Sequence, residues 1–152
     1  MEANKIKKVL IALDYDPTAK KVAEAGFTMA KEMGAEIVLV HVIVDFEIYS
    51  LNIINFAPFQ MESDIAMKDA SRLFMEKMKH HLGDMMMKSV IKEGDFADCI
   101  VETVNEEDID IIVMGTHSQK KLENTIMGSV TESVLRQLTI PLFIVPAGSP
   151  EE

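Results

Sequence analysis

Cysteine is almost missing from this chain: Cys99 stands alone, so no intramolecular disulfide can staple the fold. Positive charge is also scarce, with 15 Lys and Arg against 25 Asp and Glu and a formal net charge of −10. Such a surface repels a phosphate backbone or an anionic bilayer, so neither nucleic acid nor membrane is an expected partner. Long apolar runs are missing too. IVLVHVIV, Ile37 to Val44, is the longest apolar neighbourhood and falls far short of the roughly 20 residues that span a bilayer. The opening MEANKIKKVL is charged where a signal peptide would carry its apolar core, and the expected location is a reducing cytoplasm. Catalytic signatures are equally absent. No glycine is followed by lysine, which excludes a G-x-x-x-x-G-K-[ST] phosphate loop, and there is no G-x-S-x-G elbow, no H-E-x-x-H and no cysteine-rich metal pattern. Cys99, in a helical pattern between Asp98 and Ile100, has no evident basic neighbour to activate it and reads as a structural thiol.

What is present is an alternation of two periods. With 152 residues, 48% of them hydrophobic, the chain is expected to form one domain over 1–152 with a core of about 5–147. KKVLIALD, Lys7 to Asp14, reads as a short strand, and Asp16-Pro17 offers an N-cap with proline at the first helical position, opening a helix that Gly34 closes. EIVLVHVIV from Glu36 is nearly continuous in β-formers, as a strand covered on both faces should be. Glu62 to Leu82 reads as a long helix ended by Gly83, with Ala66, Ala70, Leu73 and Phe74 as its stripe, and MMMKSVIKEG as a weaker strand. Ala97, Ile100, Val101 and Val104, at i, i+3, i+4 and i+7, predict a third helix. IDIIVMG from Ile109 and PLFIVP, Pro141 to Pro146, predict the last two strands, with a helix from Ser129 between them. Five strands alternating with four crossover helices imply an α/β fold with a parallel, doubly wound sheet. Twelve methionines, three of them consecutive at Met85 to Met87, read as adaptable packing, since no Cys or His cluster accompanies them. The long apolar connection Phe46 to Ser63 is expected to serve packing or a dimer contact more than a lid.

In open α/β sheets, ligands sit beyond the carboxyl ends of the strands where the winding reverses. Asp14 ends the first apolar run, where a carboxylate is placed to accept hydrogen bonds from ribose hydroxyls, and Gly115 ends the fourth. After twelve intervening residues Gly128 precedes Ser129 at a helix start, where free N–H groups and the helix dipole favour phosphate. Together they frame one nucleotide site. Ser129-Val130-Thr131-Glu132 is also a capping box, which accounts for Ser129 without any ligand. Spacing alone leaves those two readings balanced.

The pattern resembles the universal stress protein family, whose nucleotide-binding members carry G-x-x-G, nine residues, then G-[ST]. Here the elements stand as Gly115-Thr116-His117-Ser118, then Gln119 to Met127, then Gly128-Ser129. The likeness extends over VLIALDYDPTAKKVAEAGFTMAKEMGAEIVLVHVI, DIDIIVMGTHS and GSVTESVLRQLTIPLFIVP. It implies a Rossmann-like five-stranded sheet in the order 3-2-1-4-5, a homodimer through the last strand, Pro141 to Pro146, and an adenine nucleotide such as ATP, with Mg²⁺ held through its phosphates. By this resemblance Asp14 and Gly115 would hold the ribose, and the backbone around Val42 would face adenine beside Ala12 and Leu13. Gly128, Ser129, Val130 and Thr131 would bind phosphates, and Met114, Thr116 and His117 would line the remaining wall. Ser118 stands where the family has its second glycine. If that glycine serves positive φ, serine costs on the order of 1 kcal/mol in strain and adds bulk, while its N–H survives.

The implied function is a stress-response regulatory module that binds ATP, with little or no catalysis and at most slow hydrolysis. The alternative is a dimeric protein-interaction module of the same family that binds no nucleotide. His117 is expected to stabilise its loop, and His41 to be a satisfied core histidine. His80 and His81 should be solvated at a helix end, and Lys120 and Lys121 are expected to be solvated loop charges.

Overall fold

The computed structural model describes residues 5–44, 57–116 and 129–146, with side chains for all of these except 57–64, 129 and 130. The described elements run β1 (Lys8–Ala12), α1 (Ala19–Met33), β2 (Glu36–Ile43), α2 (Ala57–Leu82), β3 (Lys88–Glu93), α3 (Phe96–Glu107), β4 (Ile111–Gly115), α4 (Ser129–Gln137) and β5 (Leu142–Val145). All neighbouring strands are parallel and lie in the order β3-β2-β1-β4-β5. The parallel α/β sheet expected from the alternating pattern is observed, in the Rossmann-like strand order that the family resemblance implied.

Strand periodicity sorts the core into two layers. On one face Val9, Ile11, Ile37, Leu39, Ile111 and Val113 meet Val22, Ala23 and Ala30 of α1 and Met75 and Met78 of α2. Their neighbours Leu10, Ala12, Val38, Val40, Ile112 and Met114 point the other way, to Phe96, Ile100 and Val104 of α3 and Val134 of α4. Both faces of the central strands are therefore buried, which is why their sequences are apolar runs without alternation. Helix α1 lies close over the centre of the sheet. A β-carbon at Gly26 would come within 2.8 Å of Ile11 Cδ1 and 3.2 Å of Val113 Cγ1, so the missing side chain sets the helix-to-sheet distance.

Two helix readings are corrected. Helix α1 begins at Ala19, not directly after Asp16; the Asp16 carboxylate still accepts from the Thr18 N–H at 2.7 Å, so it caps the turn ahead of the helix. Helix α2 begins at Ala57, and its buried stripe is Ser71, Met75 and Met78 with half-buried Phe74, while Ala66 and Ala70 are exposed and Leu73 is 52% exposed. Both stripes satisfy a helical period one residue apart. The long, unbranched methionines reach the sheet and win over the alanines. The predicted stripe of α3 is observed with Ala97, Ile100 and Val104 buried, and Asp95 caps it by accepting from the Asp98 N–H at 3.0 Å.

At the N-terminal edge of the sheet, Asp110 joins β4 to β1. One of its carboxylate oxygens accepts from the N–H of Lys7 at 2.8 Å and of Lys8 at 3.0 Å, and its own N–H donates to the Lys8 carbonyl at 2.9 Å. Nearby, Glu107 pairs with Lys88 at 2.8 Å and Lys8 at 3.8 Å, and the Lys88 hydrogen bond holds its carboxyl below the usual carboxylate range.

Candidate functional site

The winding reverses between β1 and β4, the neighbours at the middle of the sheet. Beyond this pair the main chains separate. The Leu13 N–H turns to the Val40 carbonyl at 2.9 Å and the Thr116 N–H to the Val145 carbonyl at 3.1 Å, so each strand leaves with the neighbour on its outer side. A crevice opens between them, the geometry expected at a topological switch point.

A depression in this crevice is lined by Ala12, Asp14, Gly115, Asp16, Thr18, Ala19 and Val22. It brings together Asp14 and Gly115, which lie far apart in sequence. Asp14 is half-buried at its rim, and the chain folds back at once, with the Asp16 N–H donating to the Asp14 carbonyl at 2.9 Å. Gly115 is buried as the last residue of β4, so backbone, not side chain, forms that wall. Thr116 is half-buried beside it.

The remaining expected positions divide by what they can present. Leu13, Val42 and Met114 are buried to within 3% of complete; their side chains belong to the core and are not presented to a ligand. Helix α4 starts at Ser129 and connects parallel strands, so its N-terminus lies at the same edge as Asp14 and Gly115. Ser129 and Val130 form its first turn by backbone. Thr131, also in that turn, is fully buried, and its Oγ1 has no hydrogen-bond partner among the described residues. A buried hydroxyl left unpaired costs about 1–3 kcal/mol. His117, Ser118 and Gly128, and the lysines Lys120 and Lys121, lie outside the described residues, as does most of the Phe46 to Ser63 segment. The capping-box reading turns on the Ser129 side chain, which lies outside them too.

His41 is the core histidine expected. It is 7% exposed, its Nδ1 lies 2.8 Å from the Leu13 carbonyl, and its ring meets Phe74 edge-on at 5.5 Å. A carbonyl only accepts, so Nδ1 carries the proton. Burial pushes the imidazole below its ordinary pKa, against the opposing effect of the Leu13 hydrogen bond. Tyr15, just after Asp14, packs on the same Phe74 at 4.9 Å. Cys99 is buried, and burial with the nearby Glu102 carboxylate raises its thiol, as befits a structural cysteine. His80 and His81 are exposed at the end of α2. Among the described residues no group of three His, Cys, Asp or Glu side chains could hold a metal, and no helix is long and apolar enough to cross a membrane.

Sequence reasoning missed Asp16 and Thr18 in the depression and the contact of His41 with the first strand's exit. Asp16 was legible only as a cap, because D-Y-D-P-T does not reveal that the turn doubles back towards Gly115.

The universal stress protein family model matches residues 5–146. The universal stress protein MJ0577 of Methanocaldococcus jannaschii is 30% identical, over 91% of this chain and 94% of its own length. Its solved structure superposes with a TM-score of 0.79 at 28% identity, covering 96% of this chain and 99% of that one. A universal stress protein from Archaeoglobus fulgidus, solved in complex with dAMP, shares the fold with a TM-score of 0.60 at 16% identity, covering 93% of this chain and 98% of its own.

Proposed function

This chain belongs to the universal stress protein family, and from that premise we propose that it is a regulatory module that binds ATP or a related adenine nucleotide in the crevice between β1 and β4. The observation that carries the reading is the shared depression of Asp14 and Gly115 at the switch point, with the N-terminus of α4 at the same edge of the sheet. Each group has a chemical counterpart in a nucleotide. The Asp14 carboxylate accepts from ribose hydroxyls; the bare backbone of Gly115 admits the sugar edge. The first-turn N–H groups of α4 and the otherwise unpaired Thr131 hydroxyl suit phosphate oxygens. The backbone around Val42 would face adenine beside Ala12 and Leu13, Met114 and Thr116 would line the remaining wall, and the family resemblance assigns His117 and Ser118 to the same site.

The donor set fits a nucleotide and supplies no metal cage of its own among the described residues. Mg²⁺ would be held by phosphate oxygens, where it neutralises charge on the nucleotide. The protein's part is to bind and orient. Cys99 is buried away from the crevice, and in this reading turnover of ATP would be at most slow. Binding would signal through a homodimer formed on β5, an edge strand that exposes Phe143 to 42%.

Calorimetric titration of Mg²⁺-ATP into protein stripped of co-purified nucleotide tests the reading, with Gly128→Val and Ser118→Gly measured beside the parent. The expected result is saturable binding that Gly128→Val abolishes and Ser118→Gly strengthens. An inert parent whose Ser118→Gly variant binds would leave the frame intact but closed by one side chain, and the interaction-module reading, favoured by exposed Phe143, would replace this one.

A further inference from the structure

The exit of β1 is held from below by two side chains that make no part of the crevice wall. Leu13 is the last residue before Asp14, and both its backbone groups are tied to β2: its N–H donates to the Val40 carbonyl at 2.9 Å and its carbonyl accepts from His41 at 2.8 Å. Leu13 is only 1% exposed, so water does not substitute for the imidazole at that carbonyl. Phe74 of α2 then packs against His41, at 5.5 Å, and against Tyr15, at 4.9 Å. The turn carrying Asp14 is thus clamped on either side of the carboxylate, at Leu13 and at Tyr15.

We propose that His41 is a positioning residue for the nucleotide site: by holding the Leu13 carbonyl it fixes the main-chain direction from which the Asp14 carboxylate reaches the ribose. The inference rests on the nucleotide reading and adds to it a residue that touches no ligand. A carbonyl freed at this depth seeks another donor, and the nearest means of finding one is to rotate the Leu13–Asp14 peptide, which swings Asp14 away from Gly115. The ring and the donor are separable duties. Phenylalanine keeps the ring against Phe74 and deletes the N–H; asparagine keeps an N–H close to the position of Nδ1 and deletes most of the ring.

The test uses the full chain with His41→Phe and His41→Asn, read by thermal melting, Mg²⁺-ATP calorimetry and amide hydrogen exchange at Asp14, Tyr15, Asp16 and Thr18. His41→Phe is expected to weaken Mg²⁺-ATP about tenfold and to speed exchange at those amides about tenfold, with a melting temperature below the parent's but no lower than that of His41→Asn. His41→Asn is expected to melt lower yet stay within about threefold of the parent's affinity. Against an Asp14→Ala background, His41→Phe should add no further loss. Affinity that follows melting temperature in both variants, additive losses with Asp14→Ala, or unchanged exchange in His41→Phe would each overturn the proposal. If the parent binds no nucleotide at all, the nucleotide reading falls, and the exchange contrast between the two variants alone decides whether His41 fixes the turn.

Discussion

At the N-terminal edge of the sheet Asp110 accepts two backbone N–H groups and Glu107 faces two lysines. At the C-terminal edge the same two strands part, a depression opens between Asp14 and Gly115, and the buried hydroxyl of Thr131 has no partner among the described residues. One end spends its polar groups on itself. At the other, the Thr131 hydroxyl stays unused, at some cost in stability. The difference follows from winding: crossover helices begin at the C-terminal edge, so their N–H-rich ends gather there while the strands diverge.

The largest expected effect tests the closed end. Asp110→Ala removes the acceptor of two backbone donors and should cost about 2 kcal/mol, a fall in melting temperature of roughly 4–8 °C. Mg²⁺-ATP affinity should stay within about twofold of the parent, because the two edges share no partners. A comparable loss of affinity would show that the ends are not independent.

Thr131→Val is the smaller, opposite experiment at the open end. It removes an unpaired buried hydroxyl at nearly constant volume, so chemical denaturation should show a gain of about 1 kcal/mol, while nucleotide affinity falls about tenfold. Stability and affinity moving in the same direction would mean that this hydroxyl is not held in reserve for a ligand.

The smallest effect is in pH. His41 has a folded pKa below its ordinary 6.5, so the unfolded chain takes up its proton first. The stability linked to this group is complete above pH 6.5 and is lost as pH falls towards the folded value. Glu107 has a folded pKa below its ordinary 4.5, and its contribution holds until pH falls below that value. Urea midpoints measured between pH 7 and 5 should therefore decline in the parent and decline less in His41→Phe. Equal slopes would place the acid sensitivity elsewhere.

Much of this was legible in the chain. The apolar runs gave both the strands and their burial on two faces, and Ala97, Ile100 and Val104 gave the inner face of α3. Gly115 was legible as a strand end; the first strand, read as Lys7 to Asp14, stops at Ala12, which leaves Asp14 two residues beyond it. The inner face of α2 was not, since Ala66-Ala70-Leu73 and Ser71-Met75-Met78 satisfy the same period, and only the distance to the sheet separates them. Asp110 was equally hidden: a carboxylate inside IDIIVMG has no sequence signal for the N–H groups of Lys7 and Lys8, which lie about a hundred residues away.

By itself, then, the sequence determined the α/β alternation, the two-layer core and the family, because hydrophobic period and motif spacing are local properties of the chain. Which residues share a crevice, which carboxylate clamps β1 to β4, and that His41 holds the carbonyl next to Asp14 were decided by tertiary structure, because these are contacts between strands whose register no local pattern encodes.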